Sequence, residues 1–172
     1  MKQAIMSVIA IALALSFVGC QYLAPLSNEH TIAIDPAVVG LWEEVPEEDK
    51  PPDPDGRMLI LKYSDTEYLV HYPTRKDEMY YRAYPIKIGG IPCVQIQLIG
   101  TADGDISKGE RKFQVVTYAI FNGELEIKTL NTDLIDKDLR DTVSIRHAFL
   151  KNKDNKDLFT NPGKFRRVKV IR

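Results

Sequence analysis

A succession of short segments rich in β-branched and aromatic residues, separated by turn residues, constrains the fold of this chain more than any other feature. Such segments are typical of β-strands. Three of the breaks are two-residue pairs suited to hairpins: Ser64-Asp65, Gly89-Gly90 and Asn122-Gly123. Neighbouring strands should therefore pair antiparallel as a meander. The predicted strands cover residues 39–45, 57–63, 66–73, 79–88, 91–99, 112–121 and 124–130.

Several of these segments alternate in polarity. Segment 91–99 places Gln95 and Gln97 between aliphatic residues, and segment 124–130 places Leu125 and Ile127 between charged ones. Such alternation gives a strand one face toward the core and one toward water. The pattern predicts an antiparallel meander that closes into a barrel or forms a strongly curved sheet.

The pattern changes after Leu130. Asn131-Thr132-Asp133 and Asp141-Thr142 offer caps for two short helices with apolar residues at helical spacing. Asn161-Pro162-Gly163 then predicts a break in the chain, and Phe165 to Ile171 a final strand. The predicted fold class is mainly β with late short helices, an α+β arrangement.

The first residues have the composition of an export signal. Lys2 precedes a mostly apolar stretch from Ala4 to Val18, and Gly19 stands directly before Cys20. A positive start, an apolar middle and small residues before a cut are the parts of a secretory signal. The apolar run is shorter than the roughly 20 residues that a membrane-spanning helix needs. Residues 1–19 are therefore predicted to be a signal peptide.

The end of this stretch, Phe17-Val18-Gly19-Cys20, resembles the lipobox of bacterial lipoproteins, with Phe17 where that family usually has Leu. The resemblance implies that the Cys20 thiol carries a diacylglycerol, and that the chain is cut before Cys20 and acylated there. Gln21 in place of Asp implies, by the same resemblance, a lipid-anchored protein of the bacterial outer membrane that faces the periplasm. Ordinary secretion with an unmodified Cys20 is the alternative.

Behind the cysteine, residues 20–38 have prolines among small and polar residues, which predicts a lipidated N-terminus and a tether. Residues 39–172 suit a single β-rich domain. Loss of residues 1–19 removes only Lys2 among the charged residues, which leaves 22 of the 23 Lys and Arg against 24 Asp and Glu. This balance gives no reason to expect nucleic acid as a partner. Cys93, in an apolar run, is predicted to be a buried and unreactive thiol.

Gly40-Leu41-Trp42 matches the Gly-x-Trp of lipocalins, and the meander that follows is similar to theirs over roughly residues 39–130. The resemblance implies a lipocalin-like barrel in which Trp42 closes one end and Arg166 or Arg167 packs over it. The chain departs from that family in having about seven predicted strands before its helices, instead of eight. Bacterial lipoproteins of unassigned role, with the same order of Gly-x-Trp, meander and late helices, resemble it more closely.

Four aromatic residues of the predicted strands are candidate ligand contacts. Tyrosine rings combine an apolar body with a polar tip, which suits the wall of a binding cavity. The same residues fit a filled core or an outer face equally well, and for Trp42 a core position is favoured. The candidates are Trp42, Tyr80, Tyr84 and Tyr118.

No spacing in the sequence indicates a catalytic, cofactor or metal site. His30, His71 and His147 fall in three different segments, whereas a zinc site needs three or four converging ligands. Segment 103–109 alternates oxygen-bearing residues as a calcium loop does, but Gln114 stands where the closing Glu belongs, so a solvated loop is favoured. Carboxylates converging from distant strands stay open as a catalytic possibility.

Charge is segregated along the chain, with seven acidic residues in segment 43–55 and eight basic residues in segment 151–172. A basic end can meet anionic headgroups, but two solvated faces that attract each other weakly are favoured.

The sequence leaves three functional classes open. The first is a membrane-anchored envelope lipoprotein with a structural or interaction role, held in the lipid bilayer through acylated Cys20 and bound to another envelope protein. The second binds a small apolar or amphipathic ligand inside the barrel, which requires a cavity of about 300 Å³ or more. The third, an enzyme, ranks last.

Overall fold

The computed structural model describes residues 22–46, 51, 56–74, 78–104, 106–107 and 109–168. The predicted signal peptide and Cys20 lie outside these residues. The strands are β1 (Gly40–Glu44), β2 (Arg57–Lys62), β3 (Tyr68–His71), β4 (Met79–Ile88), β5 (Ile91–Thr101), β6 (Phe113–Phe121), β7 (Glu124–Leu130) and β8 (Phe159–Arg167). A 3-10 helix (Pro36–Val38) precedes β1, and one α-helix, α1 (Thr142–Asn152), precedes β8.

The eight strands form a closed antiparallel barrel in which each strand pairs with the next. Pairing of β1 with β8, with Trp42 opposite Arg167, completes the ring. The predicted meander and the mainly β fold class are therefore confirmed. No helix within the described ranges has the length and apolar character needed to cross a membrane.

The two ends of the barrel differ in their connections. The β2–β3, β4–β5 and β6–β7 connections lie at one end, which we call the hairpin end. The longer connections β1–β2, β3–β4, β5–β6 and β7–β8 lie at the other, which we call the loop end. In the β6–β7 turn Asn122 and Gly123 have φ values of 52° and 81°, as a two-residue type I′ hairpin requires. The predicted two-residue turn at Asn122-Gly123 is therefore confirmed.

Only the second of the two predicted helices forms. It begins after Asp141, whose side chain accepts a hydrogen bond from the Ser144 backbone N–H at 2.8 Å. The first prediction, a helix directly after Asn131, is wrong because that segment forms turns. The side chains of Asn131 and Asp136 each accept the backbone N–H two residues ahead. Such local bonds compete with the helical ladder.

The last strand begins earlier than predicted. β8 starts at Phe159 and runs through Asn161-Pro162-Gly163, where a break was expected. Opposite Lys128 of β7 the register shifts, and Asn161 has a φ of 52°. The extra residue forms a bulge, which accommodates a proline that cannot donate to the ladder. Of the predicted strand, residues 169–171 lie outside the described part of the chain.

Apolar residues form two clusters on opposite sides of the sheet. The inner cluster fills the barrel around Trp42 and Phe165. The outer cluster packs α1, through Ile145 and Phe149, against the outer face of β4, β5 and β6. Gln95 was expected on a wet face, but it is fully buried beneath this cover.

The N-terminal segment, residues 22–38, is part of this cover. It runs from Tyr22, which pairs with Phe113 at the loop end, to Ile34, whose N–H donates to the Asp65 carbonyl at the hairpin end. Between them the Leu26 N–H donates to Gln95 Oε1 at 2.7 Å. The tether predicted over residues 20–38 is therefore wrong from Tyr22 onward, because that part packs against the barrel.

Candidate functional site

The interior of the barrel contains a small apolar cavity of about 70 Å³. Its wall combines Tyr68 and Tyr118 with ten other apolar side chains, among them Val38, Val116 and Ile127. The volume is about half that of an engineered cavity of roughly 150 Å³ that holds benzene, and far below the roughly 300 Å³ typical of ligand pockets. The interior is therefore a nearly filled core.

The hairpin end of this cavity is closed by the 3-10 helix. Asp35 caps the helix by accepting the Ala37 N–H at 2.8 Å. The Tyr68 hydroxyl accepts the Asp35 N–H at 2.7 Å, and the Tyr118 hydroxyl donates to Asp35 Oδ2 at 3.2 Å. Burial, together with Tyr68 and Asp35, raises the pKa of Tyr118 above its usual range. Both tyrosines therefore hold the cap as neutral hydrogen-bonding groups.

The Gly-x-Trp residues form a lock beside this cap. Trp42 is 1% exposed and donates from Nε1 to the Val38 carbonyl at 2.8 Å. The Arg167 guanidinium lies over the Trp42 ring at 4.5 Å and donates to the carbonyls of Val39, at 2.8 Å, and Ala37. The predicted arginine over Trp42 is thus confirmed as Arg167.

Gly40 has a physical reason to be glycine. Its φ is +146°, and a Cβ there would lie 2.6 Å from Arg167 Nη1. A side chain would push the guanidinium away from the carbonyls that it binds. Arg166 instead points outward and donates from Nε to Glu43 Oε1 at 2.6 Å.

Two of the four candidate ligand contacts lie outside the barrel. Tyr84 stacks on His30 with ring centroids 3.7 Å apart and donates to the Ser27 carbonyl at 2.8 Å. Burial raises the pKa of Tyr84 to about 12. Tyr80 stacks on His71 at 4.5 Å and donates to Glu78. The interpretation of Tyr80 and Tyr84 as cavity contacts is wrong, because both project from the outer face of β4.

The other two candidates face inward, but only Tyr118 lines the cavity. Trp42 packs in the closing lock described above. Tyr68, a tyrosine of a predicted strand that was not among the four candidates, lines the cavity with Tyr118. Its position opposite Ala83 in the β3–β4 pairing assigns it to the inner face, and that pairing is not visible in the sequence.

A polar groove of about 310 Å³ lies where β6, β7 and β8 meet at the loop end, and sequence reasoning did not identify it. Its lining includes Gln114, Thr129, Asn131 and Asp133. Asn131 donates from Nδ2 to the Asp157 carbonyl at 3.0 Å and accepts the Asp133 N–H at 3.0 Å. The Asn131 side chain is thus engaged within the fold, and the lining of the groove is mainly polar.

The outer surface also has a buried ionic cluster that sequence reasoning missed. The Glu67 carboxylate is nearly buried and accepts hydrogen bonds from Arg82 Nε, at 2.9 Å, and from His30 Nδ1. The hydrogen bond from Arg82 holds the pKa of Glu67 below its usual range, with a smaller contribution from His30. The cluster fixes the N-terminal segment to β4.

Replacing Glu67 by Gln should lower the free energy of unfolding by about 1–3 kcal/mol near neutral pH. Because the folded-state pKa is lowered, this stabilisation is present above the unfolded-state pKa and disappears as pH falls through the folded value. Urea denaturation across a pH series should therefore show the two proteins converging in acid. Glu124→Gln, at an exposed position on β7, is the control. A difference that stays constant with pH would contradict this role.

The described residues form no group of metal ligands, and two of their reactive side chains are buried or already engaged. No three of their His, Cys, Asp and Glu side chains converge as metal ligands. Cys93 is buried, and burial raises its pKa to about 12, which disfavours the nucleophilic thiolate. Both oxygens of the Glu67 carboxylate are engaged by Arg82 and His30.

The hairpin end carries most of the exposed large apolar side chains found in the described part of the chain. Tyr63 is 67% exposed beside the β2–β3 turn, and Phe121 is 75% exposed at the β6–β7 turn. The exposed apolar residues lie in two groups, one beside each of these turns, and such residues are candidate contacts for a partner protein. We call the two groups together the hairpin-end patch; it comprises Ile32, Leu61, Tyr63, Ile120 and Phe121.

No family model matches this chain, and no curated protein and no solved structure shows a significant match to it.

Proposed function

We propose that this chain is a lipid-anchored lipoprotein of the bacterial cell envelope, whose barrel binds another envelope protein. The anchor follows from the lipobox resemblance at Phe17-Val18-Gly19-Cys20. The observation that supports an interaction role is the hairpin-end patch, where Tyr63 and Phe121 are largely exposed. Aromatic side chains that are buried on binding are frequent energetic anchors of protein interfaces.

The form of the barrel limits how such a partner can bind. Because the described strands close into a ring, each pairs with a neighbour on both sides over at least part of its length, which leaves little strand edge for a partner strand. A partner must instead cover side chains, and the patch provides them around a rigid cap. The 3-10 helix between the β2–β3 and β6–β7 turns is fixed through Asp35 to Tyr68 and Tyr118.

Ligand carriage is the weaker alternative. A cavity of about 70 Å³ has no room for a fatty acid, a lipid or a drug-sized molecule without opening the core. The lipocalin resemblance therefore supports the architecture of the barrel and its Trp42–Arg167 lock better than it supports a bound ligand.

The interaction role predicts that a partner depends on the patch. With the double variant Tyr63→Ser/Phe121→Ser, the amount of partner recovered by affinity purification from detergent-solubilised envelope should fall at least about tenfold. Truncating an interface hot spot lowers the binding free energy by about 2 kcal/mol or more. Val143→Ser is the matched control, because Val143 is 77% exposed on α1 and does not belong to the patch.

The purification is run with the lipidated full-length protein, and recovered proteins are quantified by mass spectrometry. A specific partner is one retained by Val143→Ser and lost by the double variant. If recovered proteins are unchanged by the double variant, the patch is not the interaction surface. Circular dichroism of each variant verifies that the barrel still folds.

A further inference from the structure

The N-terminal segment is fixed to the barrel at its first described residue. Tyr22 is buried, its N–H donates to the Phe113 carbonyl at 3.0 Å, and its carbonyl accepts the N–H groups of Lys112 and Phe113 at 3.1 Å each. Its hydroxyl donates to the Ile135 carbonyl at 2.8 Å. The chain therefore joins the folded domain at the loop end, beside the start of β6.

Very little chain separates this fixed point from the proposed lipid. Cys20 precedes Tyr22 by two residues, and two residues span at most about 7 Å even when fully extended. An acylated Cys20 lies at the headgroup level, so Tyr22 cannot lie far above it. A domain on a free tether would tumble over the surface, but this length does not permit it.

We propose that the barrel rests directly on the bilayer in one orientation, with the loop-end surface around Tyr22 against the lipid headgroups. The inference rests on the anchor at Cys20 that is part of the proposed function. The tether predicted over residues 20–38 would let the domain stand away from the membrane, whereas this orientation places the domain on the membrane surface.

The surface around Tyr22 suits contact with headgroups. Arg111 and Lys112 directly precede β6. The Arg111 side chain donates to the Lys137 carbonyl at 2.9 Å and pairs with Asp138. This hydrogen bond from Arg111 holds the pKa of Asp138 below its usual range. The surface thus presents charges of both signs, which belong at the polar level of a bilayer and not among its acyl chains. The short chain between Cys20 and Tyr22, and not a net charge, holds this surface at the bilayer.

The same orientation determines where the hairpin-end patch points. From Phe113 to Phe121 the chain advances eight residues along β6, or about 26 Å at 3.3 Å per residue. Because barrel strands tilt by about 35–45°, this is roughly 20 Å along the barrel axis. The hairpin end is therefore directed away from the bilayer that holds Cys20. A partner that binds the patch approaches from the aqueous side.

Paramagnetic relaxation in lipid nanodiscs tests this orientation. The chain from Cys20 to Arg172, labelled with ¹⁵N, is coupled through the Cys20 thiol to a maleimide lipid in nanodiscs that also contain a gadolinium-chelate lipid. Cys93 is buried and its pKa is raised to about 12, so coupling is directed to Cys20. The relaxation rates of the backbone amides of Arg111 and Asp138, at the loop end, are compared with those of Asn122 and Glu124, at the hairpin end.

Relaxation falls with the inverse sixth power of distance, so a barrel that rests on its loop end should show rates at least about tenfold higher at Arg111 and Asp138, given the roughly 20 Å between the two ends along the barrel axis. A ten-residue Gly/Ser insertion between Gln21 and Tyr22 should reduce this difference. Equal rates at both ends, or higher rates at the hairpin end, would overturn the orientation. Because the lipid is attached chemically, such a result leaves the cellular lipidation of Cys20 as a separate question.

Discussion

Replacing Trp42 by Ala is expected to lower the free energy of unfolding by about 3–5 kcal/mol, the usual range for removing a buried tryptophan. Three contributions are lost together. The ring is 1% exposed in the inner cluster, its Nε1 donates to the Val38 carbonyl, and the Arg167 guanidinium lies over its face. Because Val38 belongs to the 3-10 helix, the closing cap of the barrel should loosen as well.

Two further variants separate these contributions. Trp42→Phe keeps much of the apolar volume but loses the Nε1 hydrogen bond, so its cost should be intermediate. Leu61→Ala on the outer face of β2, where Leu61 is 43% exposed, should change stability by less than about 1 kcal/mol. Urea unfolding is followed by circular dichroism, because Trp42 is the only tryptophan of the chain. If Trp42→Ala costs no more than Leu61→Ala, the packing role of Trp42 is wrong.

Cys20→Ala is expected to release the protein from the membrane fraction almost completely. Each buried methylene of an acyl chain contributes about 0.8 kcal/mol to membrane binding, so two or more chains hold a protein nearly permanently. Fractionation of cell envelopes, together with the intact mass of the mature protein, measures the loss of both location and lipid.

The Cys20→Ala variant needs a control for uncleaved precursor, because the apolar signal of an uncleaved chain could itself hold the protein in the membrane. In a second version residues 1–19 are replaced by a cleavable secretory signal without a lipobox, in the Cys20→Ala background. Cys93→Ala should remain with the membrane, because that thiol is buried in the domain. If the Cys20→Ala protein with the exchanged signal still fractionates with membranes at its full level, the lipid anchor is wrong.

The hairpins were predictable because local sequence specifies them. Asn122-Gly123 supplies the two positive φ values of a tight turn, and this turn places the flanking β6 and β7 side by side, where they pair. β7 runs from Glu124 to Leu130, as its alternation predicted. Its inner residues Leu125 and Ile127 lie in the barrel, and charged residues occupy its outer face.

Where tertiary contacts override local preference, the sequence predictions failed. The segment after Asn131 carries helix-capping residues, yet turns form there and bring Ile135 beneath Tyr22. Asn161-Pro162-Gly163 has the composition of a break, but its pairing with β7 holds it in a bulged strand. Polar and proline-containing residues after Cys20 resemble a linker, but Tyr22 and Leu26 are buried in the outer cluster.

The sequence by itself predicted the meander and the tight turns at Gly89-Gly90 and Asn122-Gly123, because each depends on residues that are close together or on one strand period. The lock between Trp42 and Arg167 joins residues far apart in the chain, and only the lipocalin resemblance implied it. The tertiary structure decided which tyrosines line the barrel. Alternation distinguishes two faces only when one of them is wet, and over the covered parts of β4, β5 and β6 both faces are dry, since α1 and residues 22–38 cover the outer one there. Tyr84 and Tyr118 are thus equally strand-like in sequence. One is buried outside the barrel and the other inside it, because their faces were fixed by pairing and by the cover that folded over them.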